Sequence, residues 1–148
     1  MKKIVSLAIM MVLASSMAYA SVLDVSVTYV SQYIWRGFDN LGLAGYKDAA
    51  GIQPGVTVNI GDTGFSLGVW GNYTLGTPSG FYELDGIIDY SSSIAEGYDY
   101  SVGYIYYTFS TPGGGPTSTS GEIYGGLTLS KVLFSPNLTV YYDHVTTG

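Results

Sequence analysis

Four carboxylates carry the clearest chemical pattern in this sequence. Glu83, Asp85 and Asp89 recur on one parity of a single stretch, and Asp99 falls on the same parity of the next. Acids that share a wall attract cations, so the arrangement suits either a hydrated lining or a cation-favouring constriction. Asp24, Arg36 and Glu122 occupy the equivalent parity of other stretches, and Arg36 is available as a partner for these acids. No loop in the sequence has the ligand spacing of a calcium site. Gly64-Phe65-Ser66-Leu67-Gly68 matches the G-x-S-x-G pattern. That elbow needs a strand-to-helix turn with serine at its apex, whereas Ser66 opens an alternating stretch with no helical periodicity after it. His144, the one histidine, stands beside Asp143. Adjacent strand residues point to opposite faces, so the two are not expected to form a dyad. Zinc has neither a second imidazole nor a thiol to bind. No catalytic, metal-binding or cofactor-binding residue is expected, and the protein is read as a non-enzyme.

The elements that position these acids are strands. Leu23, Val25, Val27, Tyr29, Tyr33 and Trp35 share one parity, against Asp24, Ser26, Thr28, Gln32 and Arg36. Six further stretches alternate in the same way, near 52–60, 65–75, 82–91, 98–107, 122–130 and 137–145. A period of two is the strand period, and the first stretch, read to Trp35, exceeds the usual globular strand. Asp24, Arg36, Glu83, Asp85, Asp89, Asp99, Glu122 and Asp143 all take the polar parity. A soluble sandwich alternates too, but its wet face usually carries many Lys and Glu. Here that parity is mostly Ser, Thr, Asn, Gly and a few acids, as in an enclosed lumen. Large rings also fall on it, at Trp70, Tyr107, Tyr124 and Tyr141.

Aromatic residues supply a height scale. Tyr82 and Tyr90, like Phe65 and Tyr73, lie eight residues apart on the apolar parity. With ~3.3 Å per residue and ~40° tilt, each pair spans about 20 Å along a membrane normal, close to the ~25 Å band between aromatic girdles. Tyr33, Trp35, Phe65, Tyr73, Tyr82, Tyr90, Tyr98 and Tyr100 are therefore expected to form the girdles. The connections near 61–64, 95–97 and 131–136 alternate with those near 37–50, 76–80 and 110–120, as in an up-and-down meander.

Composition agrees with this reading. Among 148 residues, charged side chains make up 11%, too few to solvate an ordinary soluble surface. Tyrosine is abundant at 15 residues, and its apolar ring with a polar tip suits a lipid–water boundary. Lys2 and Lys3, the apolar run from Ile4 to Leu13 and Ala18-Tyr19-Ala20 have the order of a cleavable signal peptide over residues 1–20. The mature part, 21–148, then retains Arg36, Lys47 and Lys131 against 11 acids, a net charge near −8. Nucleic acid is an unsuitable partner for such a chain. With no cysteine, disulfides and thiolate sites are excluded.

The run Val30-Ser31-Gln32-Tyr33-Ile34-Trp35-Arg36-Gly37 brings the aromatic-Arg-Gly step at the end of a first strand. Together with Ile52-Gln53-Pro54-Gly55, the run from Gly64 to Asn72 and Glu83-Leu84-Asp85, it resembles the TorF-type porin family, the Gcw_chp family of outer-membrane β-barrels. The resemblance implies an outer-membrane barrel with a channel role and members longer than this chain.

The expectation is an all-β protein, an antiparallel up-and-down transmembrane β-barrel exported to a bacterial outer membrane. Seven strands are legible, whereas bacterial single-chain barrels normally have an even number, so a C-terminally truncated barrel is expected. Its partners would be outer-membrane lipid and ions or small polar solutes passing by diffusion, and a homo-oligomer is compatible with this. The rival reading is a non-conducting barrel that binds or anchors through its loops, since a narrow barrel is easily filled by side chains. A third, a secreted lipocalin-like barrel, would need no detergent.

Overall fold

The computed structural model describes residues 21–46, 49–112, 114 and 116–147. The expected signal peptide and Lys47 lie outside the described residues. Strand β1 (Ser21–Val30) leads into a short hairpin of β2 (Ile34–Trp35) and β3 (Phe38–Asp39), then a single helical turn, α1 (Asn40–Leu43). There follow β4 (Gly51–Ile60), β5 (Phe65–Thr74), β6 (Gly80–Ala95), β7 (Tyr98–Ser110), β8 (Pro116–Thr128) and β9 (Asn137–Thr147). The seven long strands form one antiparallel sheet in the order β1-β4-β5-β6-β7-β8-β9. The fold is all-β with almost no helix. The sheet is open, with β1 and β9 at its two edges and unpaired with each other. No helix among the described residues is long and apolar enough to cross a membrane, which says nothing of crossing by strands.

Alternation becomes two faces because register carries it from strand to strand. On one face a continuous row runs Leu23, Val58, Leu67, Ile88, Tyr104, Ile123, Tyr142. The next rung on the other face runs Asp24, Thr57, Gly68, Ile87, Ile105, Glu122, Asp143. A slip of one residue in any pair would exchange these sets, so the hydrophobic pattern fixes register. The apolar face is exposed from one edge to the other: Val25, Phe65, Ile88, Val102, Ile123 and Val140 are each at least two-fifths accessible. A patch this broad greatly exceeds what a monomeric soluble protein ordinarily leaves uncovered.

Two aromatic clusters mark the ends of the apolar face. Phe65 lies 4.8 Å from Tyr90, which lies 6.1 Å from Tyr100, and exposed Tyr98 is nearby in sequence. Eight residues along β5 from Phe65, Tyr73 meets Phe81 edge-on at 5.3 Å. The second cluster departs from expectation. Register shifts at this end of the β5–β6 ladder, where Asn72 pairs with Glu83 but Tyr73 with Phe81, leaving Tyr82 as the extra residue of a bulge. Phe81 takes the outward place, and Tyr82 turns toward Tyr46 and Phe109.

The first strand is also shorter than its alternation suggested. β1 ends at Val30, and the chain from Ser31 to Tyr46 folds over the polar face instead of continuing upward. Tyr33 and Trp35 therefore leave the expected girdle: Tyr33 is buried at 5% exposure against Trp70, and Trp35 sits in the β2–β3 hairpin. Arg36 and Gly37 both have positive φ, 47° and 89°, the type I′ geometry that matches strand twist in a two-residue hairpin. Gly37 supplies that conformation without a Cβ penalty.

Candidate functional site

The site is the polar face together with the segment folded onto it. Leu41, 1% exposed, anchors that segment in a small cluster with Tyr33 and Ala49, packed by Val30, Tyr46, Trp70 and Tyr82. The helical turn starts from Asp39, whose Oδ1 accepts from the Gly42 N–H at 2.9 Å and whose Oδ2 accepts from Gln32 at 2.8 Å. The backbone bond from Gly42, then the Gln32 amide, hold the Asp39 carboxyl below its ordinary range. A capping side chain thus shapes a segment too short to be stable as an isolated helix.

From this segment Arg36 crosses to the far side of the sheet. Its guanidinium makes a bidentate pair with Glu122, at 2.9 Å and 2.7 Å, and lies 3.5 Å from the Tyr141 ring centroid and 4.6 Å from that of Trp35. Tyr107 donates a third hydrogen bond to Glu122 at 2.7 Å. A planar fork matched to a carboxylate and stacked on aromatic rings is a geometry lysine would not reproduce. The link joins positions 86 apart in sequence and closes over the polar face from the β1 side to the β8–β9 side.

Beneath the segment, Glu83 and Asp85 are buried at 2% and 6% exposure, with Asn72 and Thr74 fully buried beside them. Glu83 accepts from the Asn40 amide at 3.4 Å. Asn72 accepts from Gln53 at 3.2 Å. Asp85, like Asn72 at its Nδ2, has a buried polar atom, Oδ1, with no hydrogen-bond partner among the described residues. It borders a cavity of about 320 Å³ whose walls include Asp24, Tyr33, Trp35, Trp70, Ile87, Ile105 and Tyr107.

Asp89 and Asp99 lie toward the opposite end of β6 and β7. Asp89 accepts from Ser91 at 2.6 Å and from the Tyr124 hydroxyl, and Asp99 accepts from Ser93. Tyr124 reaches Asp89 across β7 because the intervening residue is Gly103, where a Cβ would overlap the Tyr124 ring. The acids read from the sequence therefore share one face but do not form one ring. Asp24, Glu83, Asp85 and Glu122 gather with Arg36 around the folded segment, while Asp89 and Asp99 stand apart.

The remaining motifs find no shared site. Ser66 lies within β5, with no helix after it. Asp143 accepts from Ser120 at 2.8 Å, while His144 contacts the Gly121 carbonyl at 2.7 Å and packs edge-on against Tyr104. No group of three His, Cys, Asp or Glu among the described residues is placed to hold a metal ion. Ile87 and Ile105, paired across β6 and β7, are apolar residues on the polar face that the alternation concealed, because Ile88 and Tyr104 beside them are apolar too.

A family profile described as a bacterial protein of unknown function, Gcw_chp, matches residues 15–145. The chain belongs to the Gcw_chp family. The match spans all seven long strands except the tip of β9, and it includes the folded segment with Arg36 and the buried acids of β6. No curated protein and no solved structure matches this Gcw_chp chain.

Proposed function

We propose that this Gcw_chp protein is an outer-membrane β-barrel that conducts ions or small polar solutes by passive diffusion, as its resemblance to TorF-type porins suggests. One observation carries the reading: a seven-stranded sheet whose apolar face is uncovered throughout and whose ionisable acids within strands lie on the other face. Lipid would cover the first face, and the second would enclose water. In hydrocarbon an unpaired strand edge is not tolerated, so the barrel requires further pairing along the β1 and β9 edges. The folded segment would narrow the bore, and Glu83, Asp85 and Asp24 would bias it toward cations.

The test is conductance of the full-length protein in a planar bilayer under a salt gradient. The expected result is a cation-selective reversal potential that moves toward zero in Glu83→Gln/Asp85→Asn. Absence of conductance in protein shown to be inserted would overturn the channel. A second reading, a non-conducting barrel with this segment as a fixed plug, is favoured by the bidentate Arg36–Glu122 pair and the burial of Leu41. It predicts a closed baseline in the same experiment and opening in Arg36→Ala. Either reading requires insertion, so Leu67→Arg on the apolar face should impair it, by roughly 2–4 kcal/mol if the site lies near the bilayer midplane.

A further inference from the structure

Among the described residues, the polar face has a cation held by rings and a carboxylate, and a second, similar setting into which no described cationic side chain is placed. The first is Arg36, stacked on Tyr141 and Trp35 and paired with Glu122. The second is the cavity of about 320 Å³ beside Asp85, walled by the rings of Tyr33, Trp35, Trp70 and Tyr107, with Asp24 also on its wall. Asp85 is 6% exposed, and its Oδ1 has no hydrogen-bond partner among the described residues. A buried carboxyl without a partner is costly, and a ligand that supplied positive charge would repay it.

We infer that this cavity is a binding site for a small organic cation, of the alkylammonium or quaternary ammonium class. The volume falls at the lower end of small-ligand pockets, which run from ~300 to 1,000 Å³. Aromatic faces attract a diffuse cation electrostatically while also accepting its alkyl groups, and the attraction grows when water is excluded. A metal ion would need several oxygen ligands, and no such group is placed for one among the described residues. An anion would meet Asp24 and Asp85, with the guanidinium of Arg36 already engaged by Glu122. The inference deepens the channel reading by naming a solute class and rests on the interior being open to solute. Binding itself requires no conduction.

The chain carries its own probe, because both of its tryptophans, Trp35 and Trp70, border the cavity. Full-length protein in detergent micelles is titrated with choline chloride, and tryptophan emission is followed against sodium chloride at equal ionic strength. The neutral isostere 3,3-dimethylbutan-1-ol is titrated in parallel. Choline is expected to give a saturable change, with the isostere at least about ten-fold weaker. Asp85→Asn should weaken choline by about ten-fold or more and narrow its advantage over the isostere, whereas Asp99→Asn should leave both unchanged. Should Asp85→Asn fail to fold, as shown by loss of its β-type circular dichroism, Trp70→Leu and the choline–isostere ratio in the unmodified protein decide instead. Equal binding of choline and the isostere, no saturable change with choline, or a folded Asp85→Asn that binds as before would overturn the proposal. Selective choline binding without conductance would retain the site and remove the channel. Conductance without it would do the reverse.

Discussion

The two ends of the polar face use the same residue types in opposite ways. At one end Glu83 and Asp85 lie buried under a segment anchored by Leu41 and latched by Arg36 onto Glu122. At the other, Asp89 and Asp99 are held by serine hydroxyls and Tyr124, with no segment among the described residues folded over them. Strand alternation brings all four acids to one face, but alternation does not set their environment. The chain between β1 and β4 does, by covering one end and leaving the other open. If the protein conducts solutes as proposed, acids at the covered end would meet them desolvated and those at the open end hydrated.

The covered end is the easier to disrupt. Leu41→Ala removes the most buried side chain of the folded segment and should cost about 2–5 kcal/mol, confined to that segment. Hydrogen exchange should show residues 33–46 losing protection while β6 to β8 keep theirs, and uniform loss would mean that the segment and sheet unfold together. Arg36→Ala deletes two charge-assisted hydrogen bonds and should cost about 2 kcal/mol, since Glu122 keeps Tyr107 as a partner. Limited proteolysis should then cut within 31–46 sooner than in the parent, and an unchanged digestion pattern would deny the latch. The open end should respond through packing. Gly103→Val would overlap Tyr124 and the Ile88 carbonyl, detach Tyr124 from Asp89 and lower the melting temperature, at a cost of roughly 1–3 kcal/mol. It should leave the protection of 33–46 intact.

The smallest effect concerns pH. The Asp39 carboxyl is held below its ordinary range by the Gly42 N–H and then Gln32, so its contribution is present above the unfolded value of about 3.9 and is lost as pH falls through the folded one. The Gly42 amide should therefore lose protection relative to amides in β7 as pH is lowered from about 5 to below the unfolded carboxylate value. Equal protection across that interval would remove the cap from the account.

The seven long strands and their two faces were legible because the period of two is strong where one parity is Val, Leu, Ile and Tyr and the other Ser, Thr and acids. The failures are local and share a cause. Tyr33 and Trp35 continue the alternation of β1, yet a short hairpin alternates as well, so parity cannot tell a rising strand from one folded back. Tyr82 keeps the parity of Leu84 and Ile88, but one bulged residue reverses the face of whatever precedes it. Ile87 and Ile105 hide among apolar neighbours. Among the acids, shared parity was visible while burial was not. The pairing of Arg36 with Glu122 and the unpartnered Asp85 Oδ1 arise from chain segments distant in sequence, which no local pattern encodes.

The central claim is that the apolar face meets lipid and the polar face meets water, and site-directed labelling tests it directly because the chain has no cysteine of its own. Full-length protein carrying Leu67→Cys, Ile88→Cys or Ile123→Cys, and separately Thr57→Cys or Ser101→Cys, would be spin-labelled in lipid vesicles and probed with oxygen and with a water-soluble nickel chelate. The account predicts relaxation by oxygen at the first three positions and by the chelate at the other two. Chelate access at positions 67, 88 and 123 equal to that at 57 and 101 would contradict it.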